Sequence, residues 1–420
     1  TIHVVIAFFV VIIGETLGIW FLYNKLVIPA DRMEAAIYVF HISILTAVFT
    51  LTQVPYNASI IAHEKMSVFA YMSVLEVSAK LGIVYLLSIG DYDKLKLYAS
   101  LLFIVQVGII CIYRFYCSRH FKETIYHFVF DKAIFKEIAG FSGWSLFASG
   151  SIALNSQGIL ILLNMFFEPA VVAARAISIQ VNMAAGQLVD NFRTAANPQI
   201  VKRLATGDLM GSKQLLLVST KYSYYLMFII CFPVCLLAYP LLKIWLGVVP
   251  DYTVIFLQLI VIQSLFQVFD TSFYTALYAK GQLKENALIS PTLGLISFPI
   301  VYFLFKVGYS PVALSWASLL TYATLGLVIK PILVVKIAGY YWKDILGVFK
   351  PCLLVTAASL PIPIFLYNVM DVTNIMHFFF IGIVTVIIIL LSIYWIGVDV
   401  LTKQKVWSYI KRKLTSQKAV

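Results

Sequence analysis

The feature that most constrains this chain is a succession of apolar runs about twenty residues long, each closed by a short polar or Gly/Pro-containing break. A helix rising 1.5 Å per residue needs about 20 apolar residues to cross a hydrocarbon core about 30 Å thick. Twelve runs meet that length: 3–22, 36–61, 66–88, 95–115, 143–167, 170–191, 215–237, 252–279, 283–305, 312–335, 346–368 and 375–396. A membrane β-barrel would instead show alternating segments of about ten residues. The expected fold is therefore an all-α integral membrane protein of twelve transmembrane helices, with breaks too short for a sizeable soluble domain. Composition agrees, because 61% hydrophobic and 12% charged residues leave too little polar surface to cover a water-soluble globule of this length.

Positive residues orient the bundle. Arg114, Arg119, Lys122, Lys132 and Lys136 crowd one loop, and Lys202, Arg203 and Lys213 the next but one. Lys280 and Lys284, Lys336 and Lys343, and a basic tail from Lys403 to Lys418 continue the alternation, whereas the intervening loops hold little beyond Lys243 and Lys306. The positive-inside rule makes the first set, and the carboxyl terminus, cytoplasmic. The net charge of +12 then belongs to loop topology and anionic head groups, with no nucleic-acid partner implied. In the tail, Trp407, Ile410 and Leu414 suit a helix lying on the inner leaflet, and a solvated tail is the alternative. Thr1 runs into a span with no initiator Met, basic leader or cleavage-site pattern, so residues are expected to precede it.

The chain lacks the patterns of catalysis. Its six histidines are scattered, and no HExxH, nucleophile elbow or P-loop occurs. The five cysteines lie in or beside spans without CxxC spacing and read as free thiols. No enzymatic activity, metal or cofactor is expected, and transport would run on a gradient or on the substrate's own concentration difference.

Charged residues inside spans are the informative exceptions, since a base at the bilayer centre costs about 2.5–3.5 kcal/mol on insertion scales. In the run 170–191 and its exit, Arg175, Ser178, Asn182, Gly186 and Arg193 recur at helical spacing on one stripe. A polar stripe must face protein or water. For Arg175, two other roles stay open: snorkelling to the nearby interface, or a structural ion pair. Glu76 and Lys80 stand four apart and are read either as a self-neutralising pair or as cavity residues; Lys221, near a span end, either snorkels or faces the cavity. Gln263, Gln267, Asp270 and Tyr274 share one face of their helix, as a cavity wall or as interhelical glue. Glu15 and Asp270 are acidic and far from either span end, which makes them candidates for ion coupling, with a permanent pair to a neighbouring base as the alternative for Glu15.

The segment LLNMFFEPAVVAARAISIQVNMAAGQLVDNFRTAANPQIVKRLATGD, with Asn164, Ala173-Ala174-Arg175 and Pro198 through Lys202, resembles two successive helices of Wzx-type polysaccharide flippases, in the multidrug/oligosaccharidyl-lipid/polysaccharide exporter superfamily. TLGIWFLYNKLVIPADRMEAA and VPYNASIIAHEKMSVFAYMSVLEVSAKLGIVYLL resemble earlier helices of that family, so the likeness spans nearly the whole chain. Glu168-Pro169 departs from it, standing where relatives often have a glycine turn. The resemblance implies fourteen helices, of which these twelve are the third to fourteenth, in two pseudo-symmetric lobes plus two appended helices. The implied divisions are an N-lobe over 1–117, a cytoplasmic linker over 118–139, a C-lobe over 140–336, two additional helices over 337–398 and a basic tail over 399–420. Tyr56-Asn57-Ala58 before Ala62-His63-Glu64-Lys65, echoed by Tyr274-Thr275-Ala276 before Ala279-Lys280-Gly281-Gln282, is a faint internal repeat in keeping with two lobes.

The function implied is export of an undecaprenyl-pyrophosphate-linked oligosaccharide from the inner to the outer leaflet of the bacterial inner membrane, for O-antigen, capsule or exopolysaccharide synthesis. A polymerase and a chain-length regulator of that pathway are the candidate partners. On this reading Arg175, Lys221, Lys80, Arg193 and Asn182 bind the substrate, because guanidinium and ammonium groups grip phosphate and amides hydrogen-bond sugars. Glu15 and Asp270 keep open the alternative, a drug or cation antiporter of the same superfamily. A polymerase or acyltransferase would need larger outer loops than these.

Overall fold

The computed structural model of the chain describes residues 1–63, 65–125, 132, 150–151, 153–280, 283–399 and 403–404. All regular structure among them is helical. The helices are α1 (Ile2–Lys25), α2 (Met33–Ala62), α3 (Met66–Leu86), α4 (Lys94–His120), α5 (Ile159–Phe166), α6 (Pro169–Ala205), α7 (Leu209–Leu236), α8 (Ala238–Leu246), α9 (Thr253–Ala279), α10 (Leu283–Lys306), α11 (Ala313–Ala338), α12 (Trp342–Val369) and α13 (Ile375–Gly397). Eight of these stretches are long and apolar enough to cross a membrane: α1, α2 with its leading turn, α4, α7, α9, α11, α12 and α13. The chain is thus a multi-pass, all-α membrane protein.

Of the four other expected spans, 66–88 became the 21-residue helix α3, and 170–191 became the first part of α6, which carries the polar residues already noted. Pro291–Lys306 of α10 is a shorter apolar helix among the described residues, and 143–167 lies partly outside them. Helix ends moved where capping overrode hydropathy. Asp208 accepts from the Gly211 amide at 2.8 Å and starts α7 six residues before the expected 215. At the other extreme, α6 runs on through Pro198 to Ala205, although Pro198 has no N–H to donate to the preceding turn and one bond of the helical ladder is missing there.

The chain forms two compact units, Thr1–Ser142 and Gly143–Val420. In the first, α2 packs along α4 around Ile60, Ile109, Tyr113 and Cys117. Asp93 caps α4 through the Leu95 and Lys96 amides and accepts from Arg32 at 3.0 Å. Those donors, the Lys96 amide foremost, hold its carboxyl below the usual carboxylate range. In the second unit α6, α7 and α9 pack around Leu216, Phe228, Leu257, Val261 and Phe273, and α12 and α13 lie against α7. Phe269 links this core to α12 by an edge-on contact with Phe349 at 4.8 Å. All five cysteines are free thiols. Most of the expected linker 118–139 and of the tail 399–420, with Trp407, Ile410 and Leu414, lies outside the described residues.

One packing detail positions the interior charges. A Cβ added to Gly326 would stand 2.3 Å from the Phe266 carbonyl oxygen, so only glycine lets α11 approach the α9 backbone this closely. The approach coincides with a π-helical turn over Leu325–Ile329. One turn further along both helices, Lys330 of α11 meets Asp270 of α9.

Candidate functional site

The stripe read on α6 does lie along one side of that helix, and its neighbour is α9. Ser178 donates to the Thr253 carbonyl at 3.3 Å, and the Asn182 amide oxygen accepts from Ser264 at 2.6 Å. Arg193 Nη2 donates to the Thr271 carbonyl at 2.5 Å, and Thr275 donates to the Asn197 side chain at 3.5 Å. The contacts advance together along both chains, so the polar residues zip two helices whose groups hydrocarbon would leave unsatisfied. Between Asn182 and Arg193 the zip opens. Gly186 has no side chain to fill the gap, and a pocket of about 260 Å³ forms there. Its walls carry Asn182, Gln187, Asp190 and Arg193 from α6 and Ser264, Gln267 and Thr271 from α9. That volume lies just under the roughly 300–1,000 Å³ usual for small-ligand sites, enough for one phosphate group or sugar ring. A larger cleft of about 620 Å³ between α10 and α11 is lined by Leu293, Ile300, Leu304 and Trp316, with no charged side chain.

Arg175 is not in the pocket. It is 3% exposed, inside the second unit, where Nη1 donates to Ser315 of α11 at 3.1 Å and the guanidinium faces the Phe256 ring at 5.8 Å. It neither snorkels nor joins an ion pair, since no carboxylate lies within 4 Å of it among the described residues, and its Nε has no hydrogen-bond partner. Both alternatives raised by its position fail for one reason: α9 and α11 close over it from the sides. Lys221, expected to snorkel or face a cavity, instead pairs at 3.1 Å with Asp399, just past α13. Lys80 is bound to Glu76 at 2.6 Å on an exposed face of α3, the self-neutralising arrangement. Glu15 is not a lone carboxylate: the His41 ring of α2 meets it at 2.9 Å, and both side chains are more than a third exposed. Asp270 is the one acid of the interior among the described residues, 3.5 Å from Lys330, whose ammonium also lies 5.4 Å from the Tyr274 ring.

Within the second unit the structure thus unites Asn182 and Arg193 in one pocket, which Arg175 and Lys221 do not line; Lys80 and Glu15 belong to the first unit. Lys330 and Asp190 escaped the sequence reading. Lys330 carried a usable signal, a base before Pro331 inside the apolar run 312–335, identical in kind to the one that singled out Glu15. Asp190 lies three residues before Arg193, with its carboxylate 3.8 Å from the guanidinium at the pocket edge.

No protein-family model matches this chain, and no curated protein matches it either.

Proposed function

We propose that this chain exports an undecaprenyl-pyrophosphate-linked oligosaccharide across the bacterial inner membrane by alternating access, with its carboxyl terminus in the cytoplasm. The observation that carries the reading is a surplus of buried positive charge in the second unit. Arg175, Lys330 and the mostly buried Arg193 face a single interior acid, Asp270, among the described residues. Uncompensated charge inside a bundle is costly unless something anionic arrives to balance it. A pyrophosphate is such a group, and a polar pocket lets it leave water without entering hydrocarbon. A cation antiporter would need the opposite balance, with carboxylates in excess.

Within this reading Arg193 takes the place first given to Arg175. Its guanidinium borders the pocket, and it offers phosphate a planar fork beside the amide groups of Asn182, Gln187 and Gln267, which suit sugar hydroxyls. Arg175 fixes α6 to α11 and adds to the local positive potential. The test is export of lipid-linked repeat units by the full-length protein in cells with no other flippase. Arg193→Ala should lower export roughly tenfold or more, the scale of one charged hydrogen bond, at unchanged membrane abundance. Arg193→Lys should keep part of the activity, having the charge without the fork. Wild-type export by the alanine variant would remove this pocket from the transport path.

A further inference from the structure

The buried pair Asp270–Lys330 stands beside the pocket without lining it. Thr271, whose carbonyl accepts from Arg193, is the residue next to Asp270 on α9. Arg193 is accordingly within electrostatic reach of Asp270 as well as of Asp190. Among the described residues two bases, Lys330 and Arg193, lie within electrostatic reach of the Asp270 carboxylate, and its short side chain meets Lys330 of α11, at 3.5 Å. Lys330 is held there by backbone geometry: the Gly326 contact with Phe266 and the π turn Leu325–Ile329 bring α11 against α9 one turn earlier. Its side chain is 1% exposed and does not line the pocket.

We propose that Lys330 is a positioning residue: by engaging Asp270 it keeps that carboxylate from neutralising Arg193, and so leaves the guanidinium charged toward the pocket and able to take an anionic group. This rests on the reading of the pocket as an anion site and says how its charge is maintained. Asp190 does not substitute for Asp270 in silencing Arg193, because it is 68% exposed and its carboxylate stands at 3.8 Å from the guanidinium. The interior carboxylate is the one whose field is little screened, and Lys330 absorbs it. Other groups within electrostatic reach are Tyr322 of α11, which adjoins both Asp270 and Arg175, and Tyr274 beneath the ammonium.

The inference differs from a merely structural ion pair in the sign of its effects. A structural pair is damaged alike by loss of either partner. Here Lys330→Met releases Asp270 toward Arg193 and weakens anion binding, whereas Asp270→Asn removes the competitor and leaves binding equal or tighter. The experiment is calorimetric titration of inorganic pyrophosphate into the purified full chain in detergent, on monodisperse folded protein. We expect Lys330→Met to weaken binding at least about tenfold, a plausible scale for one poorly screened carboxylate. Asp270→Asn should bind at least as tightly as wild type, and the double variant should do the same because no carboxylate remains to capture Arg193. If Lys330→Met fails to fold, the double variant, which leaves no buried charge unpaired at this position, carries the test. Equal weakening in both single variants, an unchanged Lys330→Met, or a double variant far weaker than wild type would overturn the role of Lys330. Failure of the pocket reading would look different: wild type would bind no pyrophosphate, or Arg193→Ala would bind it unchanged.

Discussion

The two units use the same residue types in opposite ways. In the first, the ion pairs among the described residues lie at a surface: Arg32 with Asp93, Lys96 with Glu34, Glu15 with His41, Glu76 with Lys80 and His63 with Glu123. In the second, Lys330 and Asp270 are enclosed, and Arg175 donates to a hydroxyl and faces an aromatic ring, with no carboxylate within 4 Å among the described residues. The helices differ to match, for the most apolar window of α1 is 6% buried within the protein and that of α9 is 56% buried. A charge on a bare helix is neutralised by a neighbour that swings over to meet it. A charge under packed helices depends on what the fold placed opposite, and that constraint lets a buried base be held in readiness for a ligand. An intramembrane charge therefore becomes a functional candidate by virtue of its enclosure, and its depth in the sequence pattern is a weaker guide.

The widest separation between the units should come from truncating one partner of a pair in each. Lys330→Ala leaves Asp270 buried without its ammonium and should cost about 3–5 kcal/mol. Lys80→Ala removes an exposed i,i+4 partner and should cost less than about 1 kcal/mol. Thermal or denaturant unfolding of both variants in the same detergent, followed by loss of helical signal and by membrane abundance, measures the contrast. Similar losses in the two would mean that enclosure is not what distinguishes the units.

A smaller effect sharpens the account of how enclosure arises. Gly326→Ala places a methyl group against the Phe266 carbonyl, a backbone atom that can move only with α9, and overpacking of this kind typically costs 1–3 kcal/mol. Gly186→Ala meets nothing within 4 Å, because its hydrogen faces the pocket, and should be close to neutral for stability. The pair separates a glycine kept for close approach from one kept for open space. Alanine is the better helix former at both sites, a gain common to the two variants, so equal stabilities of the two would show that their surroundings do not distinguish them.

Much of this was legible before any coordinates, and the boundary of legibility is physical. Apolar run length gave the all-helical membrane class and the positions of eight spans, since backbone satisfaction in a bilayer permits little else. Helical spacing put Ser178, Asn182 and Arg193 on one side of α6, as found. Spacing could not say which neighbour the stripe meets, and so the open wall at Gly186 and the closed one at Arg175 looked alike. The partners of Glu15, Lys221 and Asp270 lie 26, 178 and 60 residues away, beyond any local pattern. The π turn that aims Lys330 has the sequence LGLVI, which carries no local mark of its geometry.

The gentlest test concerns the exposed side of the comparison and its response to acid. Asp93 lies outside the spans, and its carboxyl is held below the ordinary carboxylate value by the Lys96 and Leu95 amides and the Arg32 guanidinium. A depressed folded-state value means that the capped and bridged state is favoured above the ordinary carboxylate range, where an unfolded Asp is ionised as well. That advantage is lost as pH falls through the lowered folded value, when the carboxylate that accepts all three donors is protonated. Hydrogen exchange at the Leu95 and Lys96 amides should therefore stay protected through neutral and mildly acidic pH and lose protection only below it, after correction for the intrinsic pH dependence of exchange. Asp93→Asn can still cap the helix through its amide oxygen but cannot pair with Arg32, so protection should be a little lower at neutral pH and indifferent to acid. Because the Arg32 and Asp93 side chains are 45% and 29% exposed, salt should shrink the difference between the two proteins. A wild type whose corrected protection is flat across the acid range would show that the cap, and not the charge, holds the start of α4.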